Sequence, residues 1–148
     1  MNFFTKALGS GLFTGYFPFA PGTVASIVAT LIYFIPGFEK IYILIPIIIF
    51  LIIISIPIGN RFEKEYRKDP CFFTLDEFIG TWISYLFLPK NFLLIFITFL
   101  LWRILDILKP FPARKLENLN GGLGIVIDDI ISGIYSCILM NIVFLIFY

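Results

Sequence analysis

The stretch Phe78–Trp102, FIGTWISYLFLPKNFLLIFITFLLW, decides how this chain folds. It is apolar except for Lys90, and Leu88-Pro89-Lys90-Asn91 interrupts it in the middle. As one segment it would be a single membrane span, with its flanks on opposite sides of a bilayer. As two arms joined at the Pro-Lys-Asn turn it is a helical hairpin that enters and returns. The flanks choose between the two. Charges gather in two islands, Arg61–Glu77 and Arg103–Asp129, which hold every carboxylate except Glu39 and every Lys and Arg except Lys6, Lys40 and Lys90. Lys and Arg in short loops favour the cytoplasmic face. Both islands therefore belong on one side, and only the hairpin puts them there.

The rest of the chain has the same character. Of its 148 residues 59% are hydrophobic and 14% charged, with mean hydropathy +0.98; a soluble domain carries about 25% charged residues. Residues 1–148 are expected to form a single membrane-embedded domain. Gly9–Gly22, GSGLFTGYFPFAPG, is a loop or re-entrant segment rich in Gly, Pro and aromatics. Thr23–Phe38 follows as a short first span, Glu39-Lys40 as a turn, and Ile41–Ile58 as a second span, since about 17–25 apolar residues cross the hydrocarbon core. Asn60–Asp69 has charges at helical spacing and is expected to extend into water as a helix. The second hairpin arm runs to Leu108, and Pro110 and Pro112 end it. Asn120–Gly124 is a glycine turn and Ile125–Tyr148 a final helix. The fold class is all-α: a polytopic integral membrane helical bundle of about four to five membrane-embedded helices, one pair of them a hairpin. Extending the topology outward puts Gly9–Gly22 on the cytoplasmic side and the C-terminus outside. The N-terminus has one basic residue, Lys6, and no clear small-residue cleavage site, so no signal peptide is expected.

Composition excludes several chemistries. There is no histidine, which removes Ser-His-Asp and Cys-His catalysis, His-ligated zinc and phosphatases with a His nucleophile. Cys71 and Cys137 form neither a disulfide framework nor a CxxC site. No basic stripe stands clear of acidic neighbours, so no nucleic acid is expected as a partner. Carboxylate, Lys, Arg, hydroxyl and backbone chemistry remain, together with a hard metal ion.

Four constellations could carry that chemistry, and each has a purely structural alternative. Asp76-Glu77 after Thr74 is either a helix start with a Thr cap and dipole-stabilising charge or a carboxylate pair for Mg²⁺. Arg103, Asp106 and Lys109, at i, i+3 spacing, are either an ion-pair ladder or a metal-binding Asp106 flanked by two phosphate-binding cations. Arg114 is a weaker candidate, since snorkelling toward headgroups explains it equally well. Asp128-Asp129 follows Gly121-Gly122-Leu123-Gly124; the pair either sits on a helix dipole or shares a cation, and the glycine turn could present N–H groups to an anion. Ala20-Pro21-Gly22-Thr23 opens the first span, with Thr23 as cap, and its free N–H groups could bind phosphate. The candidate metal ligands are thus Asp76, Glu77, Asp106, Asp128 and Asp129. Of these, Asp76, Asp106 and Asp129 are the candidate catalytic carboxylates. Arg103, Lys109, Gly22 and Thr23 are the candidate phosphate contacts.

In this order, GSGLFTGYFPFAPGTVAS (9–26), LDEFIGTWISYLFLP (75–89), WRILDILKPFPARKLEN (102–118) and GGLGIVIDDIISGIYS (121–136) resemble the phosphatidylglycerophosphatase A family over most of the chain. The resemblance implies an Mg²⁺-dependent membrane phosphatase. Its substrate would be phosphatidylglycerophosphate, converted to phosphatidylglycerol and inorganic phosphate on the cytoplasmic side of a bacterial inner membrane. It also places the family's acidic motif positions at Asp76, Glu77, Asp106, Asp128 and Asp129 and its basic ones at Arg103, Lys109 and Arg114. Leu75 and Trp102 stand where other large apolar residues are expected. Two other readings compete: a small ion-binding carrier or subunit of a membrane complex, which would favour carboxylates near mid-membrane, and an assembly factor whose polar islands bind a soluble partner.

Overall fold

The computed structural model describes residues 1–148. Every regular element is helical. A short α1 (Phe3–Gly9) leads through a 3₁₀ turn at Thr14–Tyr16 to α2 (Pro21–Tyr33). Then follow α3 (Ile41–Glu65), α4 (Leu75–Ser84), α5 (Phe92–Leu108), a one-turn α6 (Ala113–Leu116) and α7 (Gly122–Phe147). By length and apolarity two helices can cross a membrane, α3 with 25 residues and α7 with 26. The others are shorter, with 13 residues in α2, 10 in α4 and 17 in α5. At 1.5 Å per residue, α4 is only about 15 Å long.

The break in Phe78–Trp102 is a turn, and it begins earlier than Leu88. The first arm stops at Ser84, with Phe87 in the left-handed region (φ 65°) ahead of Pro89, whose ring cannot continue a helix. Asn91 opens the second arm by accepting a hydrogen bond from the Leu94 N–H (3.1 Å). The arms are antiparallel, because Arg103 near the end of α5 reaches Glu77 at the start of α4. At the opposite end of the bundle, Lys90 in the turn reaches Glu39 and the Ile35 carbonyl between α2 and α3.

The short arm is the centre of the molecule. In α4, Leu75, Asp76 and every residue from Phe78 to Ser84 are buried, including Thr81 and Ser84. A helix apolar or satisfied on all sides is one enclosed by others; α4 packs chiefly against α7, then α2 and α3. Small residues permit the close crossings, as in membrane bundles. A Cβ on Gly80 would meet the Trp102 indole, one on Gly133 the Gly80 carbonyl, and one on Gly59 the backbone of Gly122. The outward faces are apolar, with Ile49, Phe50 and Ile53 on α3, Phe96 and Leu100 on α5 and Ile138 and Leu139 on α7 all exposed. A belt this continuous belongs against lipid rather than water.

Other boundaries differ from the sequence reading as well: the first span ends at Tyr33 rather than Phe38. The polar stretch from Asn60 is not a separate helix; α3 runs through it, and through Pro46 and Pro57, to Glu65. Helix α2 starts at Pro21, so Thr23 lies inside its first turn and does not cap it; Ala20 precedes it in the left-handed region (φ 44°). Helix α7 starts at Gly122 rather than Ile125. Asp128 and Asp129 are therefore in its second turn, where the dipole of the helix start has largely faded.

Candidate active site

The charged islands meet at one end of the bundle, where the starts of α2, α4 and α7, the end of α5 and the loop after α3 converge. They enclose a cavity of about 300 Å³. The nine candidate metal, catalytic and phosphate-contact residues all line it: Gly22, Thr23, Asp76, Glu77, Arg103, Asp106, Lys109, Asp128 and Asp129. Asp69 and Thr74, which the sequence reading did not assign to the site, line it too.

Arg103 is the organising cation. Its Nη1 donates to Glu77 Oε2 and to Asp106 Oδ2 (2.9 Å), and its Nη2 donates to Thr23 Oγ1 (3.4 Å), so one guanidinium joins α2, α4 and α5. Ser26 Oγ also donates to Glu77 Oε2 (3.1 Å). Glu77 is thus held by Arg103 and Ser26, and Gly22 has a steric role. A Cβ at that position would collide with the Glu77 carboxylate. Lys109 is the second cation. It caps α5 in the left-handed region (φ 48°), and its Nζ donates to Glu117 Oε2 and pairs with Asp128 Oδ2 (2.7 Å). Burial would lower its pKa, but the bonds to Asp128 and Glu117 outweigh burial and raise it above the ordinary lysine range.

Asp106, Asp128 and Asp129 form the tightest acidic group: one carboxylate oxygen from each lies within 4.8 Å of the others. Asp128 and Asp129 are each only 4% exposed, and Asp128 Oδ1 and Asp129 Oδ2 are buried without a hydrogen-bond partner. An unpartnered buried carboxylate oxygen is costly. Asp76 and Glu77 line the same cavity outside this group of three. Asp76 Oδ1 accepts the Glu77 N–H (3.0 Å). Thr74 makes no capping bond and instead shares a hydrogen bond with Thr14 (3.1 Å).

Six carboxylates line the cavity (Asp69, Asp76, Glu77, Asp106, Asp128 and Asp129) against two cations, Arg103 and Lys109. That imbalance demands protons or added cations, because like charges in a low-dielectric enclosure cannot all stay ionised. Burial also pushes the Asp69 carboxyl up, against the opposing pull of Lys109. An all-oxygen donor set with orphaned oxygens suits a hard divalent ion such as Mg²⁺. Backbone strain gathers here as well: Ala20, Asp69 and Lys109, three of the six non-glycine residues with positive φ, line the cavity. Such conformations persist only where surrounding structure enforces them.

The glycine turn before α7 lies outside the cavity, and side chains of α3 take two of its N–H groups. The Gly121 and Gly122 N–H groups donate to Glu63 Oε2 (2.9 Å) and Asn60 Oδ1 (2.7 Å) on α3. Arg114 lies outside the cavity, exposed, and donates to the Leu108 carbonyl (3.1 Å). Asp69 had one sequence signal, its place in a polar island beside Pro70, but Lys-Asp-Pro resembles any solvated turn. Ser26 and Glu117, which hold Glu77 and Lys109, had none. Cys71 and Cys137 are free thiols.

Residues 7–144 match the family model described as Phosphatidylglycerophosphatase A. A Bacteroides thetaiotaomicron protein provisionally named a phosphatidylinositol-3-phosphatase is 33% identical over 147 residues, 94% of this chain and 92% of that protein. A phosphatidylglycerophosphatase A of Escherichia coli is 33% identical over 132 residues, 87% of this chain and 77% of that protein. One of Haemophilus influenzae is 43% identical over 67 residues, 44% of this chain and 41% of that protein. No solved structure matches the chain.

Proposed function

Because the chain belongs to the phosphatidylglycerophosphatase A family, we propose that it hydrolyses the terminal phosphomonoester of phosphatidylglycerophosphate, releasing phosphatidylglycerol and inorganic phosphate, and that it does so with Mg²⁺. The observation that carries the metal is the group of Asp106, Asp128 and Asp129 with two orphaned oxygens. These three would hold the ion, with Asp76 and Glu77 beside them. When bound, Mg²⁺ supplies charge that neutralises phosphoryl oxygens and makes water more acidic.

The chain's own residues do the rest. Arg103 and Lys109 present N–H donors to the phosphoryl oxygens, where negative charge spreads in a loose transition state. Glu77, Ser26 and Glu117 keep those two cations in place. The start of α2 at Gly22 and Thr23 adds N–H groups that have no acceptor within the helix. One of the candidate catalytic carboxylates, Asp76, Asp106 or Asp129, would take the proton of the attacking water. A new O–P bond forms, the bond to the glycerol oxygen breaks, and that oxygen leaves with a proton.

The bundle, a single domain over residues 1–148, would sit in the bacterial cytoplasmic membrane with the cavity facing the cytoplasm. Helices α2, α3, α5 and α7 would be embedded, and α4 would reach partway as the inner arm of the hairpin. The carrier reading fits less well, because the carboxylates gather at one end of the bundle, in the first turn of α4, the last turn of α5 and the second turn of α7, rather than at mid-membrane. The Bacteroides relative's name supports a second substrate reading, a phosphomonoester on an inositol lipid.

The test is phosphate release by detergent-purified protein from phosphatidylglycerophosphate and from phosphatidylinositol 3-phosphate, with Mg²⁺ and with excess EDTA, beside Asp129→Asn. Release from phosphatidylglycerophosphate that needs Mg²⁺ and collapses in the variant is expected. Preference for the inositol lipid would reassign the substrate. No release from either by folded protein would sink the phosphatase reading and bring the carrier forward.

A further inference from the structure

We infer that the groove between α2 and α5 holds one acyl chain of the phospholipid whose headgroup enters the cavity, an assignment that rests on the lipid-phosphatase reading. Although both helices contribute to the cavity, they stay apart along most of their length. The gap is a groove of about 270 Å³. Ile27, Leu31 and Phe34 line one wall and Phe92, Phe96 and Phe99 the other, with Ile95 and Thr30 at its floor. Thr30 is the one polar residue there, and its hydroxyl is bonded to the Tyr85 hydroxyl (2.7 Å).

The groove lies in line with the cavity, one helical turn away on both helices. Thr23, Ile27, Thr30, Leu31 and Phe34 share one face of α2 at spacings of three and four. Phe92, Ile95, Phe96, Phe99 and Arg103 do the same on α5. Ile27 is one turn from Thr23 and Phe99 one turn from Arg103. The Arg103–Thr23 contact (3.4 Å) marks the boundary between polar cavity and apolar groove. At the far end the Phe34 and Phe92 rings approach to 6.2 Å between centroids. The interval from Ile27 to Phe34 is about 10 Å of helix, enough for the upper part of one chain. A headgroup phosphate at Arg103 thus has an apolar slot directly below it, open sideways to the bilayer. Chain entry from the side lets the lipid present its phosphate without leaving the membrane. It also makes the groove a determinant of specificity for diacyl over water-soluble phosphomonoesters.

The test fills the groove away from the chemistry. Leu31 is 65% exposed and two turns from Thr23, and Ile53 on α3 is 63% exposed on a face outside the groove. The readout is the ratio of kcat/KM for diacyl phosphatidylglycerophosphate to that for its deacylated, water-soluble counterpart. Leu31→Trp is expected to lower that ratio roughly tenfold, as loss of a few buried methylenes would; Ile53→Trp is expected to leave it unchanged. An unchanged ratio in Leu31→Trp, or the same fall in Ile53→Trp, overturns the assignment. Wild-type turnover of either substrate reports on the phosphatase reading separately. A second readout needs no turnover. Phosphatidylglycerophosphate carrying a diazirine in one acyl chain is photolysed with the wild-type protein in EDTA, and the adducts are mapped. Labelling concentrated on the α2 and α5 walls, and reduced by Leu31→Trp, is expected. Labelling spread evenly around the belt, as annular lipid would give, or a second protein copy cross-linked over the groove, overturns it.

Discussion

The two ends of the bundle use charge in opposite ways. At the far end, Glu39 meets Lys90 at 3.0 Å, and Lys90 also donates to the Ile35 carbonyl. One acid faces one base, and the pair simply ties the hairpin turn to the loop between α2 and α3. At the cavity end, six acids face two bases and two carboxylate oxygens are buried without partners. A balanced pair at a rim contributes little and endures. A buried surplus of one sign costs stability and persists where chemistry requires it. The contrast therefore separates a balanced structural pair from the charges we propose to be functional, and it can be broken or sharpened by experiment.

The largest effect is expected from removing a surplus acid. Asp106→Asn should lower phosphate release by about a hundredfold or more, whereas Glu39→Gln at the far end should leave it unchanged; equal losses would erase the contrast. Next comes the cation that holds three helices. Arg103→Ala leaves Glu77 and Asp106 uncompensated and should destabilise the fold by about 3–5 kcal/mol, read by denaturation in detergent. Third, Mg²⁺ should raise the thermal midpoint of the wild type, with a stabilisation of about 2.7 kcal/mol at one hundred times its Kd. Asp128→Asn should lose that shift, and Lys90→Met should keep it. Fourth, the two ends differ in how they tolerate a methyl group. Gly22→Ala drives into the Glu77 carboxylate and should cost roughly tenfold in kcat/KM through a displaced Arg103. Gly37→Ala, at φ 90° with open space around it, should cost only stability, about 1 kcal/mol. The smallest effect is pH-dependent. Glu39's own backbone N–H and then Lys90 hold its carboxyl below the ordinary range. The pair therefore contributes above the unfolded-state pKa and is lost as pH falls through the folded one. Lys90→Met should lower the thermal midpoint slightly above about pH 5, with the difference shrinking in acid to what the Lys90 bond to the Ile35 carbonyl contributes.

Much of this was legible in the sequence because it depends on local pattern. An apolar run interrupted by Pro89 and Lys90 allows a hairpin, and the charged islands on its two flanks, which favour one side, select it. Less visible were boundaries that neighbouring elements decide. The glycines at 121–124 read as a turn in isolation, yet Asn60 and Glu63 on α3 take the N–H groups of Gly121 and Gly122 and let α7 begin early. That shift carries Asp128 and Asp129 into the second turn and removes the dipole explanation for them. Asp69 was hidden for a similar reason: nothing in Lys-Asp-Pro distinguishes a solvated turn from a cavity wall.

By itself the sequence determined the inventory: carboxylates, Arg and Lys but no histidine, hence an oxygen donor set, and apolar segments long enough to cross a membrane. It determined also that the two islands share a side, because loop charge and hairpin geometry are local properties. Only the tertiary structure decided who meets whom. Arg103 touches Thr23, 80 residues away, and Glu77, 26 residues away, while Lys109 selects Asp128 and Glu117. Such pairings depend on how α2, α5 and α7 pack around the buried arm α4, which periodicity along one helix does not encode. The same packing leaves α2 and α5 apart and so opens the apolar groove below Arg103.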